Sequence, residues 1–429
     1  MAKLSSIAYY VTDKISSNDI SLAEYVTTDC ILQNKKGREV ATNLPPQPCS
    51  LIRYQRGDVL IANIRPYLKK VWFADIDGGA SPDVLVFRAK DGHSPSFLYA
   101  ILLQDSFFDY VMQGTKGSKM PRGDKEQILR YEMPTFSCSE ESIGTFFLNL
   151  DRKIHLNERI NQNLEAMAKQ LYNYWFVQFD FPNEEGKPYK SSGGKMVWNE
   201  KLKREIPFGW HCGNLFEIAV FTNGLACQKF RPKDDEASLP VIKIREMHDG
   251  ISADTEKVTP NIPESVKVYN GDVLFSWSAS LEVMLWAYGL GGLNQHIFKV
   301  TSANDFPKSF FYFQLLDYVD VFKKMAEARK TTMGHITQDH LQQSAIAIPD
   351  NKDIADRFEE LISPIFNQII KLHEEILNLT KQRDKLLPLL MNGQVSVNSD
   401  LAVLYIIYGL KYQNHEREHY SGDSCENAA

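Results

Sequence analysis

Gly57-Asp58-Val59-Leu60 is the stretch that decides the fold, because it recurs as Gly271-Asp272-Val273-Leu274 in the second half of the chain. In each copy a Gly-Asp pair precedes an apolar run, a pattern typical of a turn that leads into a buried strand. We therefore predict that both aspartates shape turns. The same displacement of 214 positions relates two further residue pairs, Trp72 with Trp286 and Gly78 with Gly292.

Two other repeats extend the duplication along the chain. Leu4-x-x-Ile7-Ala8 recurs as Leu215-x-x-Ile218-Ala219, and a heptad-like run that begins at Ile143 recurs from Ile354, both displaced by 211 positions. The predicted order is therefore globule, helix, globule, helix, and two copies of one module indicate pseudo-two-fold symmetry. Such a protein matches a two-part target on another pseudo-symmetric object, and duplex DNA is one such object.

Each globule precedes a long helix whose seam residues alternate in steps of four and three, as in a coiled coil. The first seam comprises Ile143, Phe147, Leu150, Ile154, Asn157, Asn161, Leu164, Ala168, Leu171 and Trp175. The second comprises Ile354, Phe358, Leu361, Ile365, Ile369, Leu372, Ile376, Leu379, Leu386 and Leu390. Asn157 and Asn161 are predicted to fix the register of the seam. Near Pro364 the rhythm slips, which predicts either a kink or a fresh helix start at Ser363-Pro364.

The globules combine strands and helices, which indicates an α+β class. Each is predicted to contain a helix that is followed by a polar loop and then by a short strand. The predicted helices span residues 96–112 and 308–327, the loops 114–119 and 329–335, and the short strands end at Pro134 and Pro349.

These patterns divide the chain into six segments. Residues 180–205 are polar and rich in Gly, Ser and Lys, which predicts a linker, and the segment from Val395 has no counterpart in the first half. The predicted segments are a first globule (1–142), a first helix (143–179), the linker (180–205), a second globule (206–352), a second helix (353–394) and a tail (395–429).

Composition sets limits on the function. The 429 residues suffice for two or three domains, and the net charge of −6 argues weakly against nucleic-acid binding. Two basic clusters at equivalent places oppose that inference, because local charge decides phosphate affinity. Six scattered cysteines without a CxxC pair, no signal core and no apolar run of about 20 residues predict a reduced, cytoplasmic chain without a zinc site or membrane span.

Catalytic signatures are missing from the sequence. Lys195 is followed by Met196, so the phosphate-binding P-loop pattern fails, and Gly289-Leu290-Gly291-Gly292 lacks dinucleotide-loop spacing. Neither HExxH nor GxSxG occurs. His296 and His335 have no nucleophile and orienting acid beside them in the sequence, so we interpret them as polar contacts.

The polar loops and the residues after each Gly-Asp strand form the candidate DNA-binding set. Lys and Arg beside small residues suit phosphate contact, because backbone N–H groups can then approach the ligand. Asn294, Gln295 and His296 suit hydrogen bonding to base edges. In the first half the candidates are Arg65, Lys69, Lys116, Lys119 and Arg122; in the second they are Ser276, Trp277, Asn294, Gln295, His296, Arg329, Lys330, Thr331, Thr332 and His335.

Four motifs together resemble a known family, the specificity subunit of type I restriction-modification systems. They are Ile206-Pro207-Phe208-Gly209-Trp210 with Leu215-x-x-Ile218-Ala219, Gly271 to Ser276 with Asn294-Gln295-His296, Ile336-Thr337 through Ile348-Pro349, and residues 386–395. The resemblance extends from Leu4 to about Val397. The first globule departs from it, since it lacks the Ile-Pro-x-Gly-Trp motif and has Ser81-Pro82-Asp83 near the place of Asn-Gln-His.

The resemblance implies two target-recognition domains joined by two long antiparallel coiled-coil helices. Each domain would recognise one half of a bipartite, asymmetric sequence in double-stranded DNA, and the helices would set the spacer. It also implies a subunit that does no chemistry and binds no cofactor. Two methyltransferase subunits that use S-adenosylmethionine, and endonuclease subunits that use ATP and Mg, would be its partners.

Two other hypotheses remain open at the level of sequence. One is a restriction or methylation enzyme with its own active site, which the missing motifs disfavour. The other is a scaffold that joins proteins through its coiled coil without binding DNA. The net negative charge supports the scaffold, and the matched basic loops oppose it.

Overall fold

The computed structural model describes residues 2–117, 119–133, 139–233, 236–252, 254–278, 280–328, 336 and 338–391. These residues form two compact units. Unit 1 comprises the chain up to Leu156 together with the segment from Asn378 onwards, and unit 2 comprises Asn157–Leu377. The predicted strand end at Pro134 and the predicted tail from Val395 lie outside the described residues.

Unit 1 begins with a small strand pair and continues through two sheets. Its strands are β1 (Ala2–Lys3), β2 (Ala8–Tyr10), β3 (Lys14–Ser16), β4 (Tyr25–Val26), β5 (Ser50–Tyr54), β6 (Val59–Ala62), β7 (Val71–Phe73), β8 (Gly78–Ala80), β9 (Val84–Ala89) and β10 (Glu132–Met133). Its helices are α1 (Leu4–Ile7), α2 (Pro95–Leu102), α3 (Asp105–Gln113) and α4 (Lys125–Ile128). The first long helix, α5 (Glu140–Tyr172), starts in this unit.

Unit 2 repeats this plan after a hairpin. Its strands are β11 (Met196–Asn199), β12 (Arg204–Pro207), β13 (Trp210–Gly213), β14 (Ala219–Asn223), β15 (Leu239–Ile242), β16 (Lys257–Val258), β17 (Lys267–Val268), β18 (Val273–Ser276), β19 (Glu282–Leu285), β20 (Gly291–Leu293), β21 (Ile297–Ser302) and β22 (Ile346–Pro349). Its helices are α6 (Leu215–Ile218), α7 (Ile244–Asp249), α8 (Lys308–Ala328) and α9 (Gln338–Gln342), and the second long helix, α10 (Asp353–Met391), starts here.

Sheet topology confirms the duplication. Each unit has a four-stranded antiparallel sheet in one shared order, β2-β9-β6-β7 in unit 1 and β14-β21-β18-β19 in unit 2. The second sheets share three strands, β5-β8-β4 and β17-β20-β15, each with one parallel pair. Their fourth strands lie on opposite edges, because β3 pairs with β5 whereas β16 pairs with β15. The two modules therefore share a core and differ at both edges of the second sheet.

Both Gly-Asp pairs form the predicted turns. The Asp58 carboxylate accepts the Gln55 N–H at 2.8 Å, and the Asp272 carboxylate accepts the Tyr269 N–H at the same distance. Each carboxylate also forms an ion pair with the strand that follows in the sheet, Asp58 with Arg88 at 2.7 Å and Asp272 with Lys299 at 2.8 Å. Asp58 is almost fully buried. The repeated motif is therefore a turn at the start of each central strand, stabilised by a hydrogen bond and an ion pair of its aspartate.

The Trp72 and Trp286 correspondence is wrong. Trp72 lies in β7 opposite Leu60, whereas Trp286 follows β19 and donates its N–H to the Asp272 carbonyl. In unit 1 the equivalent hydrogen bond runs from the Ala74 N–H to the Asp58 carbonyl, because the connection between β6 and β7 is longer than that between β18 and β19. The glycines are also shifted by one: Gly78-Gly79 corresponds to Gly291-Gly292 by strand register.

The long helices pack through the first predicted seam, whose residues are buried or half-buried throughout. In unit 2 the Asn161 amide lies 2.8 Å from His373, and the Asn157 amide donates to Glu375 at 2.9 Å, so the two helices run antiparallel there. In unit 1 Arg383 of α10 contacts Asp151 of α5 at 3.2 Å. The polar seam residues thus pair across the helices.

The second predicted seam is wrong in one helical turn, where the buried residue lies one position later than predicted. Leu361 is 49% exposed, and its neighbour Ile362 is fully buried instead. Helix α10 also continues through Ser363-Pro364 without interruption, so the predicted fresh start is wrong. A strict repeat of 3.5 residues drifts relative to an α-helix of 3.6 residues per turn, and here the packing follows the α-helical period.

The predicted linker is folded. Strands β11 and β12 form an antiparallel hairpin, and before it the buried rings of Phe179 and Phe181 pack on Trp210 with centroids 5.4 and 5.7 Å apart. Helix α5 passes into this cluster through a π-helical turn, Asn173–Val177, which buries the adjacent Trp175 and Phe176. The polar residues of 180–205 therefore belong to exposed turns, and these turns surround an aromatic core.

The region that the sequence predicts as one helix forms two helices. The region 96–112 contains α2 and α3, which are separated by an extended Gln104 whose side chain donates to the Ile101 carbonyl. Its counterpart α8 is a single helix of 21 residues, as predicted. Leu103 is buried at the break, so the break itself belongs to the core of unit 1.

Alanine at two adjacent positions of α10 tests the corrected seam. We expect Ile362→Ala to lower the free energy of unfolding by about 2–5 kcal/mol, because it leaves a cavity in a buried layer. The matched control Leu361→Ala should change it by no more than about 0.5 kcal/mol. Chemical denaturation measures both, and a larger loss at Leu361 would contradict the assignment.

Candidate nucleic-acid interface

Three segments of unit 1 join through backbone hydrogen bonds at one end of its strands. The Asn63 N–H donates to the Asp83 carbonyl at 2.9 Å, and the Gly123 N–H donates to the Asn63 carbonyl at 3.3 Å. The Arg65 N–H donates to the Pro121 carbonyl at 2.8 Å. We call these segments, residues 63–70, 81–83 and the described part of 115–123, the loop face of unit 1. It brings together all five candidates predicted in the first half.

The cations on this loop face differ in whether they have partners. Lys116 pairs with Asp124 at 2.9 Å and Arg122 pairs with Asp83 at 3.2 Å. The hydrogen bond to Asp124 raises the pKa of Lys116. Arg65 and Lys119 are exposed and form no ion pair with any residue that the structure describes. These two are the side chains most readily offered to phosphate.

Lys69 is engaged differently from the others. Its ammonium lies 2.8 Å from the Asp105 carboxylate, and about two-thirds of its side chain is covered. Asp105 also binds Lys35 at 2.8 Å. Burial opposes ionisation of Asp105, but the two lysines outweigh it and lower its pKa.

Unit 2 builds the same frame with different side chains. The Trp277 N–H donates to the His296 carbonyl at 3.3 Å, and the Ile336 N–H donates to the Trp277 carbonyl at 3.0 Å. Trp277 thus occupies the place of Asn63, and Ile336 that of Gly123. Asn294-Gln295-His296 occupies the place of Ser81-Pro82-Asp83, as the sequence indicated. The candidates Arg329, Lys330, Thr331, Thr332 and His335 lie outside the described residues.

A polar and aromatic group, exposed at Asn223 and His296 and half-buried at Trp277 and Gln295, forms the loop face of unit 2. The Trp277 indole donates to the Asn223 side chain at 3.3 Å and lies 5.6 Å from the His296 ring, centroid to centroid. The Gln295 amide lies 3.3 Å from the His296 ring nitrogen. We define the loop face of unit 2 as residues 223–226, the described part of 277–281, and 294–296. Its chemistry is indole, imidazole and amide.

Asn223 is a member that the sequence did not indicate. It ends β14, far along the chain from Trp277, and is exposed. Gly224 beside it packs so closely that an added Cβ would lie 2.3 Å from the Asn294 carbonyl oxygen. A glycine at a strand end was the available signal, but only the fold shows which loop it touches.

Two predicted residues face inwards. Ser276 is fully buried, and its hydroxyl donates to the Ser280 carbonyl and accepts the Glu282 N–H. Asn294 is also buried, and its side-chain oxygen accepts the His296 N–H at 3.4 Å. Both side chains shape their own loops. Their position corrects the expectation that the whole Asn-Gln-His motif is presented outwards.

Neither loop face carries the chemistry of a metal site. Among the residues that the structure describes, no three His, Cys, Asp or Glu side chains are grouped so that they could hold a metal ion. In the same part of the chain, none of the helices has the length and apolar character that a membrane span requires.

Comparison with known proteins shows which family the chain resembles. A family model described as the type I restriction modification DNA specificity domain matches residues 207–380. The type I restriction enzyme MjaIX specificity subunit of Methanocaldococcus jannaschii is 24% identical over 397 residues, which cover 89% of this chain and 86% of that protein. Residues 207–380 therefore belong to the type I restriction modification DNA specificity domain family, and most of the chain is similar to type I specificity subunits.

Two further comparisons extend across both units. The HindI specificity subunit of Haemophilus influenzae is 22% identical over 457 residues, covering 91% of this chain and 98% of that protein. The crystal structure of a type I restriction-modification S subunit from M. genitalium has a TM-score of 0.56 at 12% identity, and covers 93% of this chain and 96% of that one. That structure shows the fold that the two specificity subunits share.

Family membership decides between the three hypotheses. Specificity subunits are the DNA-recognition components of type I complexes and are not catalytic. The alternative of an enzyme with its own active site is therefore wrong, and so is that of a scaffold without a DNA-recognition role.

Proposed function

We propose that this specificity subunit binds double-stranded DNA through both loop faces, and that each unit recognises one half of a bipartite, asymmetric target. The supporting observation is one backbone frame that presents two sets of side chains. Arg65, Tyr67 and Lys119 are exposed in unit 1, whereas unit 2 presents Asn223, Trp277 and His296. Different side chains in one frame favour two different half-sites.

Phosphate contact in this proposal comes mainly from Arg65 and Lys119, and from Lys116 and Arg122 after exchange of their carboxylate partners. Exposed ion pairs contribute little to stability, so phosphate can replace Asp124 or Asp83 at small cost. The net charge of −6 is compatible with this, because the segments that face DNA carry their own local charge.

The long helices suit the role of a spacer between half-sites. α5 has 33 residues and α10 has 39, which correspond to about 50 and 58 Å at 1.5 Å per residue. One turn of DNA extends about 34–36 Å. In this proposal 1–142 and 206–352 are the recognition domains, 143–179 and 353–394 are the spacer helices, and 180–205 connects them.

Docking of methyltransferase subunits is proposed on the exposed side of α5. Ile160, Met167 and Tyr174 recur every seven residues and are 36%, 45% and 38% exposed. Seven residues are nearly two turns of an α-helix, so Ile160 and Met167 share one face of α5, and Tyr174 follows in the π-helical turn that continues it. We call them the outer stripe. Apolar side chains in a row on a soluble helix indicate a surface that a partner covers.

The partners supply the chemistry in this proposal. Two methyltransferase subunits use S-adenosylmethionine, and endonuclease subunits use ATP and Mg. A base to be methylated must leave the stack, and the methyltransferase provides its pocket. The specificity subunit contributes sequence recognition and the spacing of the complex along the DNA.

Direct detection of modified bases in the host genome tests the proposal. Deletion of the gene should abolish methylation at one motif with two unequal half-sites and a fixed spacer, and expression of the wild-type chain should restore it. A deletion that leaves every methylated motif in place, even with the cognate methyltransferase supplied in trans, would contradict the proposed function.

Removal of unpaired charge from unit 1 should weaken DNA binding. We expect Arg65→Ala and Lys119→Ala each to reduce the affinity of the assembled methyltransferase complex and its salt-dependence slope, by about 1 per phosphate contact. Titration at several salt concentrations measures both. Lys203→Ala, an exposed lysine on the β11–β12 hairpin, is the control. An unchanged slope in both variants would remove these residues from the interface.

Charge on the outer stripe should prevent assembly without unfolding the chain. We expect Ile160→Glu with Met167→Glu to abolish co-purification of the methyltransferase subunit, because a charged face cannot be desolvated against an apolar partner. Gln162→Glu adds charge to an exposed position on another face of the same helix and should assemble normally. Normal assembly of the double variant would place the docking surface elsewhere.

A further inference from the structure

The loop between β6 and β7 has an unfavourable backbone. Arg65 and Lys69 both have left-handed conformations, with φ of +53° and +51°, and they flank the short helical turn Pro66–Leu68. Residues with a Cβ rarely adopt this conformation, and it persists only where the surroundings enforce it. Arg65 and the half-exposed Tyr67 are presented by this loop, so its support determines where they point.

A second loop provides the first layer of support. The Asn34 N–H donates to the Leu68 carbonyl at 2.9 Å, and the Lys35 N–H donates to the Lys69 carbonyl at 3.0 Å. Asn34 and Lys35 are themselves left-handed, with φ of +58° and +62°. Two strained turns therefore lie back to back, and each holds the other through its backbone.

The Lys35 side chain connects these turns to the long helices. It is only 5% exposed, and its ammonium lies 2.8 Å from Asp105 at the start of α3 and 3.6 Å from Asp384 on α10. Asp105 also binds Lys69, the residue that closes the β6–β7 loop, at 2.8 Å. The buried ammonium thus has one carboxylate on the globule and one on the helix.

The chain of charges continues into the helix pair. The Arg383 side chain is buried, and its guanidinium contacts Asp384 at 3.0 Å and Asp151 of α5 at 3.2 Å. The Tyr99 hydroxyl donates to the same Asp151 at 2.8 Å. All of these residues belong to unit 1. Buried pairs of this kind are costly to interrupt, because removal of one partner leaves the other charge buried alone.

We propose that Lys35 and Asp384 are positioning residues for DNA recognition by unit 1. Through Asp105 and Lys69 they fix the β6–β7 loop to α10, and they thereby set the direction in which Arg65 and Tyr67 meet the DNA. Lys69 is then a support of the loop and not a phosphate contact. This inference rests on the proposed function, and it deepens it by naming residues that touch no DNA and still determine specificity at one half-site.

The second half-site provides an internal control. The assembled complex methylates a library of duplexes in which each half-site is varied in turn, with wild-type, Asp384→Asn, Lys35→Met and Asp384→Glu chains. We expect Asp384→Asn and Lys35→Met to lower discrimination at the half-site that Tyr67→Ala also affects, by about fivefold or more, the lower end of one specific base contact. Discrimination at the other half-site should stay unchanged. Asp384→Glu keeps the charge and should retain wild-type discrimination.

Several outcomes would overturn the inference. One is unchanged discrimination at both half-sites in Asp384→Asn. Another is a uniform loss of methylation without a change in preference, which would indicate a structural role alone. Asp384 is 42% exposed, so Asp384→Asn decides the question even if the buried Lys35→Met fails to fold. A wild-type complex without a bipartite preference would instead refute the proposed function, and the inference with it.

Discussion

Both units depend on one aspartate at the start of a central strand. Asp58 closes a turn with the Gln55 N–H and pairs with Arg88, and Asp272 does the same with Tyr269 and Lys299. Asp58 is almost fully buried and Asp272 is partly buried, and a buried carboxylate is costly unless its partners are present, so these contacts favour one strand register. The register carries each strand into its loop face, so the proposed DNA-contacting side chains depend on a carboxylate that lies outside that face.

Much of the architecture was predictable because its determinants are local. The Gly-Asp turns, the first helical seam and the matched loops each follow from a few neighbouring residues. The equivalence of Ser81-Pro82-Asp83 with Asn294-Gln295-His296 follows from the strand pattern around it. For the candidate site, only the positions of the loops were predictable, since loop position depends on strand order alone.

What the sequence did not indicate depends on packing and hydrogen bonds that residue type and spacing alone do not show. Ile362 takes the buried place predicted for Leu361, because the packing of α10 follows the α-helical period. Gln104 breaks a helix by bonding to Ile101, and Phe181 turns a polar segment into part of an aromatic core. Ser276 and Asn294 are polar yet face inwards, and Lys69 is held by Asp105.

The paired glycines have an evolutionary consequence. An added Cβ at Gly78 would lie 2.2 Å from the Glu24 carbonyl oxygen, and one at Gly291 would lie 2.6 Å from Ile242. At Gly78 a side chain would therefore displace backbone, and at Gly291 it would force the Ile242 side chain to move. The adjoining loops have no such restriction. We therefore expect amino-acid substitutions to accumulate in the few loop residues beside the glycines. Such substitutions can change the proposed DNA target while the core stays the same.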